Sequence, residues 1–318
     1  MAKITINDLL EAGCHFGHQT RRWNPKMKHF VYGSRNGISI IDLTITMRQI
    51  ADACNFLQRV VGNGGDILFV GTKRQAQQIT RELAERTGMY YVSERWMGGT
   101  LTNNVTIRKS IQKMYDLDKV LASDEVKSLK KKELSIMSRD CARLHRDLDG
   151  IADMKKLPAA MIIIDVCNDN IAVSEANKLN IPIIGICDTN ANPDLIDYPV
   201  AANDDAVKSI KVITDLFCDA ILVAKEVYQK RVVEERAAKE AAAKKAADEK
   251  AAAEAAKAEE AAAAPQEEVK IDSVAGVKVE KKAAKKPAAK KTAAKKPAAK
   301  KPAAKKEEAE KETEAKAE

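Results

Sequence analysis

The chain has 318 residues, a length that predicts about two folded units together with any tails. Hydrophobic residues make up 45% and charged residues 31%, so a sizeable core can be buried. No apolar run approaches the roughly 20 residues of a membrane-spanning helix, and the first residues lack the pattern of a secretory signal. The six cysteines are scattered without a CxxC pair, which predicts reduced thiols in a cytoplasmic protein.

The net charge of +8 is unevenly distributed along the sequence. Residues 1–156 carry 26 lysines and arginines against 17 acidic residues, whereas residues 157–230 carry 5 against 11. Such an asymmetry is typical of a protein that presents one face to a polyanion and another to a different partner.

The first distinctive stretch is Ala12 to Gly37, where glycines recur and basic residues are interleaved with aromatic ones. The glycines predict irregular backbone. Arginine and lysine neutralise phosphates, while aromatic rings stack on unpaired bases. The predicted RNA contacts are Arg21, Arg22, Trp23, Lys26, Lys28 and Arg35. The alternative interpretation is a loop that covers the edge of a sheet, with Trp23 and Phe30 anchored in the core.

From residue 65 onward, short apolar runs alternate with segments of helical spacing. Continuous apolar runs are typical of strands covered on both faces, and Gly88 is placed to cap a helix. The predicted strands are Gly65 to Gly71, Met89 to Val92, Pro158 to Asp165, Ile181 to Asp188 and the edge strand Tyr198 to Asn203; the predicted helices are Lys73 to Gly88, residues 170–180 and Asp205 to Glu235. This order predicts a parallel sheet with helices on both faces.

Two helical segments in succession interrupt the alternation. The first is predicted at Asn103 to Leu121 and the second at Val126 to Asp149, and a short polar link containing Asp124 joins them. The spacing of their apolar residues indicates a coiled-coil-like seam, so we predict an antiparallel hairpin that protrudes from the sheet domain and has a basic outer face.

Two loops add further candidates for RNA contact. One follows the first parallel strand and opens a helix, a position that binds phosphate, although it lacks the glycines of nucleotide-binding loops. The other contains the sequence WMGG and leads into the hairpin. On the alternative interpretation, a residue of this loop simply caps the first helix of the hairpin. The residues predicted here are Lys73, Arg74, Arg95, Trp96, Arg108 and Lys109.

Histidines and aspartates raise the question of a bound cation. His15 and His18 have a spacing that can serve a metal, and Asp188, Asp204 and Asp205 fall near the ends of predicted strands. The alternative is a pair of hydrogen-bonded structural histidines, with the aspartates facing a protein partner or solvent. We assign no metal site. No nucleophile–base pair is legible, so we expect neither catalysis nor a cofactor.

The last part of the chain, residues 231–318, has low complexity. An Ala/Lys/Glu-rich stretch predicts a helix that has nothing to pack against. Beyond it, Lys281 to Lys306 contains twelve lysines, recurrent prolines and no acidic residue, which predicts a disordered segment. Its functional interpretation is a phosphate binder without sequence preference, and the alternative is a solvated run of charge.

Several stretches together resemble the bacterial small-subunit ribosomal protein S2 family. They include TRRWNPKMK, ILFVGTKRQA, RWMGGTLTN and IPIIGICDTNANPDLIDYPVAANDDA, and the resemblance covers nearly all of the chain to about residue 229. It implies a flavodoxin-like or Rossmann-like three-layer α/β domain with an inserted antiparallel coiled-coil hairpin. The Ala/Lys/Pro-rich tail lies outside the resemblance.

The resemblance also implies a structural role on the small ribosomal subunit, bound to small-subunit rRNA and to neighbouring ribosomal proteins, including ribosomal protein S1. We expect no membrane association and no homo-oligomer. The predicted division is an α/β domain at 1–102 and 150–230, the hairpin at 103–149 and the tail at 231–318. Two other classes stay open: a sugar-phosphate or nucleotide enzyme on the same fold, and a nucleic-acid-binding protein driven by the tail.

Overall fold

The computed structural model describes residues 4–123 and 130–262. By its internal contacts the chain divides into two units, residues 1–255 and 256–318. Of the second unit the structure describes only residues 256–262, which are helical. The predicted tail beyond residue 262 therefore lies outside the described residues.

The helices and strands that the structure describes follow one another in chain order. The elements up to residue 92 are α1 (Ile6–Glu11), β1 (Phe16–Gln19), β2 (Val31–Arg35), β3 (Ile38–Ile41), α2 (Leu43–Gly62), β4 (Ile67–Val70), α3 (Arg74–Thr87) and β5 (Tyr90–Val92). The elements after it are α4 (Asn104–Ala122), α5 (Lys131–Leu148), β6 (Ala160–Ile164), α6 (Asn170–Lys178), β7 (Ile183–Cys187), β8 (Tyr198–Ala201) and α7 (Val207–Ala262).

Five parallel strands form the central sheet in the order β5-β4-β6-β7-β8. Every residue of β4, β6 and β7 is buried, as the continuous apolar runs predicted. From β4 the chain passes through α3 to β5 on one side, and from β5 it passes through α4 and α5 to β6 on the other side of β4, which gives the flavodoxin-like strand order. The predicted parallel sheet is thus confirmed.

Apolar clusters cover both faces of this sheet. On one face Ile162 and Ile164 pack with side chains of α2, α3 and α7, among them Phe217. On the other face Met161 and Ile163 pack with residues of α6 and of the first turns of α4. The alternation along β6 sends successive side chains to opposite faces, so the domain has three layers.

The amino-terminal segment differs from the prediction. Residues 12–37 were predicted as irregular backbone, but β1, β2 and β3 form a second, antiparallel sheet in the order β1-β3-β2. These strands are four or five residues long, and their register shifts between Phe16 and Gln19 and between Val31 and Gly33. Short strands with shifted register do not produce a clean alternation of apolar and polar residues, which explains why the pattern missed them.

The two successive helices predicted between the strands are present as α4 and α5, and they contact each other. The predicted start of the second helix at Val126 and the link residue Asp124 lie outside the described residues; the described helix begins at Lys131. Ile107 and Leu148 are buried in the apolar cluster beneath the sheet, so the base of the pair is packed against the domain.

Within the described residues, no helix combines the length and the apolar character that crossing a bilayer requires. The long helix α7 begins at Val207, two residues after the predicted start. Its first turns bury Ile210, Ile213 and Phe217 against the sheet.

Candidate nucleic-acid interface

The amino-terminal sheet is fixed to the loop that follows β7. The backbone N–H of Asn24 donates to the carbonyl of Thr189 at 2.8 Å, and the N–H of His18 donates to Thr189 Oγ1 at 3.0 Å. A Cβ added to Gly17 would lie 2.6 Å from Thr189 Cγ2, so glycine permits this close approach. Met27 is fully buried and anchors the same segment to the apolar cluster.

The predicted RNA-binding residues of this segment lie at its surface. Trp23 is exposed, whereas Phe30 is half-buried and packs on the core. Of the two proposed anchors, Phe30 fits that role and Trp23 does not. Tyr32 was not among the candidates, yet it is 82% exposed on β2. The exposed basic residues of the segment are Arg21, Arg22, Lys26, Lys28 and Arg35.

Lys73 lies at the carboxyl edge of the parallel sheet, in an internal cluster of carboxylates. Its Nζ is 2.8 Å from Asp204, 2.6 Å from Asp205 and 3.3 Å from Asp165. Burial alone would lower the pKa of Lys73, but its hydrogen bonds to Asp204 and Asp205 outweigh burial and raise it. The RNA contact of Lys73 stays a prediction; its observed partners are carboxylates, and its side chain is only 17% exposed.

The same edge contains the topological switch point between β4 and β6, where α/β sheets of this kind bind ligands. Thr72 Oγ1 donates to Asp169 Oδ1 at 2.7 Å, and Asn168 Nδ2 donates to Thr72 Oγ1 at 2.6 Å. Burial raises the pKa of Asp169 to about 6. Side chains of the chain itself therefore occupy the switch point, which gives a ligand few unpartnered groups to bind.

His18 joins this edge to the amino-terminal sheet. Its Nδ1 lies 2.7 Å from Asp188 Oδ2, and its Nε2 lies 3.6 Å from Asp205 Oδ2. The hydrogen bond to Asp188 raises the pKa of His18, which favours the charged imidazolium and a structural ion pair. His15 lies apart and contacts the ring of Phe16, with ring centroids 4.0 Å apart and an angle of 40° between the ring planes.

The structure thus supports the interpretation of His18 as a hydrogen-bonded structural histidine. His18, Asp188 and Asp204 also have donor atoms within 4.8 Å of one another, so the geometry keeps a cation there as an alternative. The Lys73 ammonium already supplies positive charge to Asp204, which reduces the need for an ion.

A buried carboxylate organises the loop with the sequence WMGG. Glu175 of α6 accepts hydrogen bonds from the indole N–H of Trp96 at 3.1 Å and from the backbone N–H of Gly99 at 2.7 Å. Leu101 and Thr102 donate their backbone N–H groups to its other oxygen. Burial alone would raise the pKa of Glu175, but these hydrogen bonds outweigh it and hold the pKa below its usual value.

Trp96 therefore has an internal partner and is only 6% exposed, while its neighbour Arg95 is exposed. Glu175 has no local signal in the sequence, because a lone glutamate in a helix is ordinarily a surface residue. The loop leads directly into α4, where Arg108 and Lys109 are exposed and Arg108 donates to the carbonyl of Lys155.

The loops after β4, β5 and β7 meet at one edge, because the carboxyl ends of parallel strands lie together. This edge brings together Arg74, Arg95 and, through the contact of His18 with Asp188, the amino-terminal sheet. Arg108 and Lys109 belong instead to the hairpin helix α4.

These features define a doubly wound α/β protein with flavodoxin-like strand order and exposed basic side chains on the loops at its carboxyl edge. The family model described as ribosomal protein S2 matches residues 9–224, about two thirds of the sequence, and the chain belongs to that family. Membership implies the role of a small-subunit ribosomal protein in translation, and proteins of this family are structural rather than enzymatic.

Proposed function

We propose that the protein binds small-subunit rRNA through the basic and aromatic side chains of its amino-terminal sheet and of the loops at the carboxyl edge of the parallel sheet. The observation that carries this proposal is that most of the basic candidates form no ion pair with another described residue of the chain. Among the residues that the structure describes, seven basic candidates have no carboxylate within ion-pair distance; they are Arg21, Arg22, Lys28, Arg35, Arg74, Arg95 and Lys109.

Exposed cations without a carboxylate partner gain most from a phosphate, because no existing ion pair has to be broken. Two other basic candidates, Lys26 and Lys73, already have carboxylate partners within the chain. Lys26 lies 2.5 Å from Asp194, and Lys73 is surrounded by three carboxylates. We propose that Lys73 and Trp96 act indirectly, by holding the loops that present Arg74 and Arg95.

Aromatic side chains extend the proposed surface beyond phosphate contact. Trp23, Tyr32 and Phe16 are all exposed on or beside the amino-terminal sheet. Rings of this kind stack on unpaired bases, and such stacking contributes about 1–3 kcal/mol for each base. The proposed target is therefore rRNA with accessible bases, such as a loop or a junction, in addition to helical backbone.

The finer features of the assembly are also proposals. On the basis of the family and the sequence pattern, we propose that the hairpin packs as a coiled coil and that the protein is located on the ribosome in the cytoplasm. We also propose a division of the chain into an α/β domain at 1–102 and 150–230, a hairpin at 103–149 and a tail at 231–318. We propose further that the exposed acidic side chains within residues 157–230, among them Asp194 and Asp197, face neighbouring ribosomal proteins, including ribosomal protein S1, and that the chain does not form homo-oligomers.

The test is a double substitution, Arg21→Ala with Arg22→Ala, in the full-length protein. Each lost phosphate contact should lower the slope of log K against log salt by about 0.7–0.9, so the double variant should show a decrease of about 1.4–1.8 in rRNA binding titrations. Its occupancy on small subunits in sucrose gradients should fall as salt is raised. Unchanged occupancy and slope would contradict the proposal.

The matched control is Lys208→Ala with Lys211→Ala, which removes two exposed charges from α7 in the acidic part of the chain. This control removes the same amount of charge, but outside the proposed RNA surface, so it should leave the slope near that of the native protein.

A stop after Arg236, measured in the same titrations, tests the predicted phosphate binding of the tail. Equal slopes for the truncated and full-length chains would show that the tail is only a solvated run of charge.

A further inference from the structure

A second cluster of polar side chains lies between the two hairpin helices, further along α4 than the proposed RNA contact Lys109. Cys141 and His145 are four residues apart on α5, so they lie on one face of that helix. That face meets Asp118 of α4: Cys141 Sγ is 3.0 Å from Asp118 Oδ1, and His145 Nε2 is 2.9 Å from Asp118 Oδ2. The three donor atoms lie within 4.8 Å of one another.

We propose that Asp118, Cys141 and His145 form a binding site for a thiophilic divalent cation, with Zn²⁺ as the best match, that bridges α4 and α5. The donor set carries the argument. Thiolate and imidazole ligands select zinc and related transition metals, whereas magnesium and calcium prefer oxygen ligands alone. Three protein ligands leave one position of a tetrahedron for water or for a group from a partner.

The observed distances are close to those that a tetrahedral ion requires. With metal–ligand bonds of about 2.0–2.3 Å, neighbouring ligand atoms lie about 3.3–3.6 Å apart. Cys141 Sγ and His145 Nε2 each lie 3.0 Å from the same oxygen, Asp118 Oδ1, so each of these two pairs would have to separate by only a few tenths of an ångström.

The surroundings of the cluster also suit a metal site. Cys141 is buried, while Asp118 and His145 are partly exposed, which leaves a path from solvent and an open position on the outer side. The second ring nitrogen of His145, Nδ1, lies 3.4 Å from Asp149 Oδ1. A carboxylate behind a coordinating imidazole fixes the ring and raises its basicity, an arrangement common in zinc sites.

Protons hold the same positions when no cation is bound. Without a cation, the Cys141 thiol donates its proton in a hydrogen bond to Asp118 Oδ1. Binding of the cation replaces this proton with a sulfur–metal bond and releases the proton to solvent. The cluster differs from that of His18, where the Lys73 ammonium already lies beside the carboxylates.

The test is a titration of the full-length protein with Co²⁺, which replaces Zn²⁺ and gives a sulfur-to-metal charge-transfer absorption when a thiolate is a ligand. We expect this absorption in the native protein, its disappearance on adding Zn²⁺, and its loss in Cys141→Ser. Cys167→Ser, which removes the exposed cysteine, and His18→Ala are the matched controls and should keep it.

A second variant covers the case in which Cys141→Ser disturbs folding. His145→Gln keeps the thiol and should weaken Co²⁺ binding by more than about tenfold, since loss of even an outer partner costs about 10–100-fold. Absence of the absorption in the native protein, or its persistence in Cys141→Ser, would overturn the proposal. The cluster would then be a hydrogen-bonded contact between helices and nothing more.

Discussion

Strand β6 and helix α5 both carry apolar residues at regular spacing, yet they bury them to different extents. Every residue from Ala160 to Ile164 is inaccessible to solvent, because β6 lies between two strands and beneath helices on both faces. In α5, Leu148 is buried against the domain, Leu144 is half-buried, and Ile136 is 43% exposed. Burial of the apolar side chains of β6 therefore stabilises the whole domain, whereas the apolar side chains along much of α5 stabilise only the contact between the hairpin helices.

The comparison predicts the largest effect for a core residue of the sheet. Phe69 of β4 is completely buried, and its replacement by alanine removes a ring and leaves a cavity, at a cost of about 3–5 kcal/mol in the free energy of unfolding. Urea denaturation measures this loss. The control is Tyr32→Ala, an exposed aromatic, which should change the free energy by less than about 0.5 kcal/mol. Equal effects would show that the sheet does not dominate stability.

A pair of substitutions in α5 locates the point at which the domain ends and the protrusion begins. Leu148→Ala should cost about 2–4 kcal/mol, because Leu148 belongs to the apolar cluster beneath the sheet. Ile136→Ala, in the same helix, should cost less than about 0.5 kcal/mol. If Ile136→Ala proved as damaging as Leu148→Ala in urea unfolding, the outer part of the hairpin would belong to the folded core.

The third expected effect is smaller and depends on pH. Glu175→Gln should cost about 1–3 kcal/mol near neutral pH, because an amide cannot accept all the hydrogen bonds that the carboxylate receives from the WMGG loop. The matched control is Glu82→Gln on the exposed face of α3. Thermal or urea unfolding measures the difference.

The pH dependence follows from the direction of the pKa shift of Glu175. Its pKa in the folded state lies below the ordinary value of 4.5, so the unfolded chain binds more protons in the interval between the two values. The carboxylate therefore contributes stability that is fully present above pH 4.5 and is lost as the pH falls through the folded pKa. Between about pH 6 and about pH 3 the native protein should lose more stability than Glu175→Gln; parallel losses would contradict this account.

The sequence by itself predicted the elements whose signals are local. Continuous apolar runs marked β4, β6 and β7, because a strand covered on both faces needs apolar residues at every position. Gly88 marked the end of α3, and its φ of +64° is the left-handed conformation that favours glycine. The basic residues of the amino-terminal segment were recognisable as surface residues because charge is rarely buried without a partner.

Only the tertiary structure decided how those side chains are divided between internal and external partners. Lys73 and Arg74 are neighbours in sequence, yet Lys73 reaches Asp204, 131 residues later, and Arg74 is exposed. Trp96 is buried because Glu175, 79 residues later, accepts its indole N–H. A local sequence pattern cannot predict these two contacts, because their partners are far apart in the sequence. They form when the parallel strands align side by side, so that the segments following the carboxyl ends of the strands bring distant carboxylates to a lysine and a tryptophan.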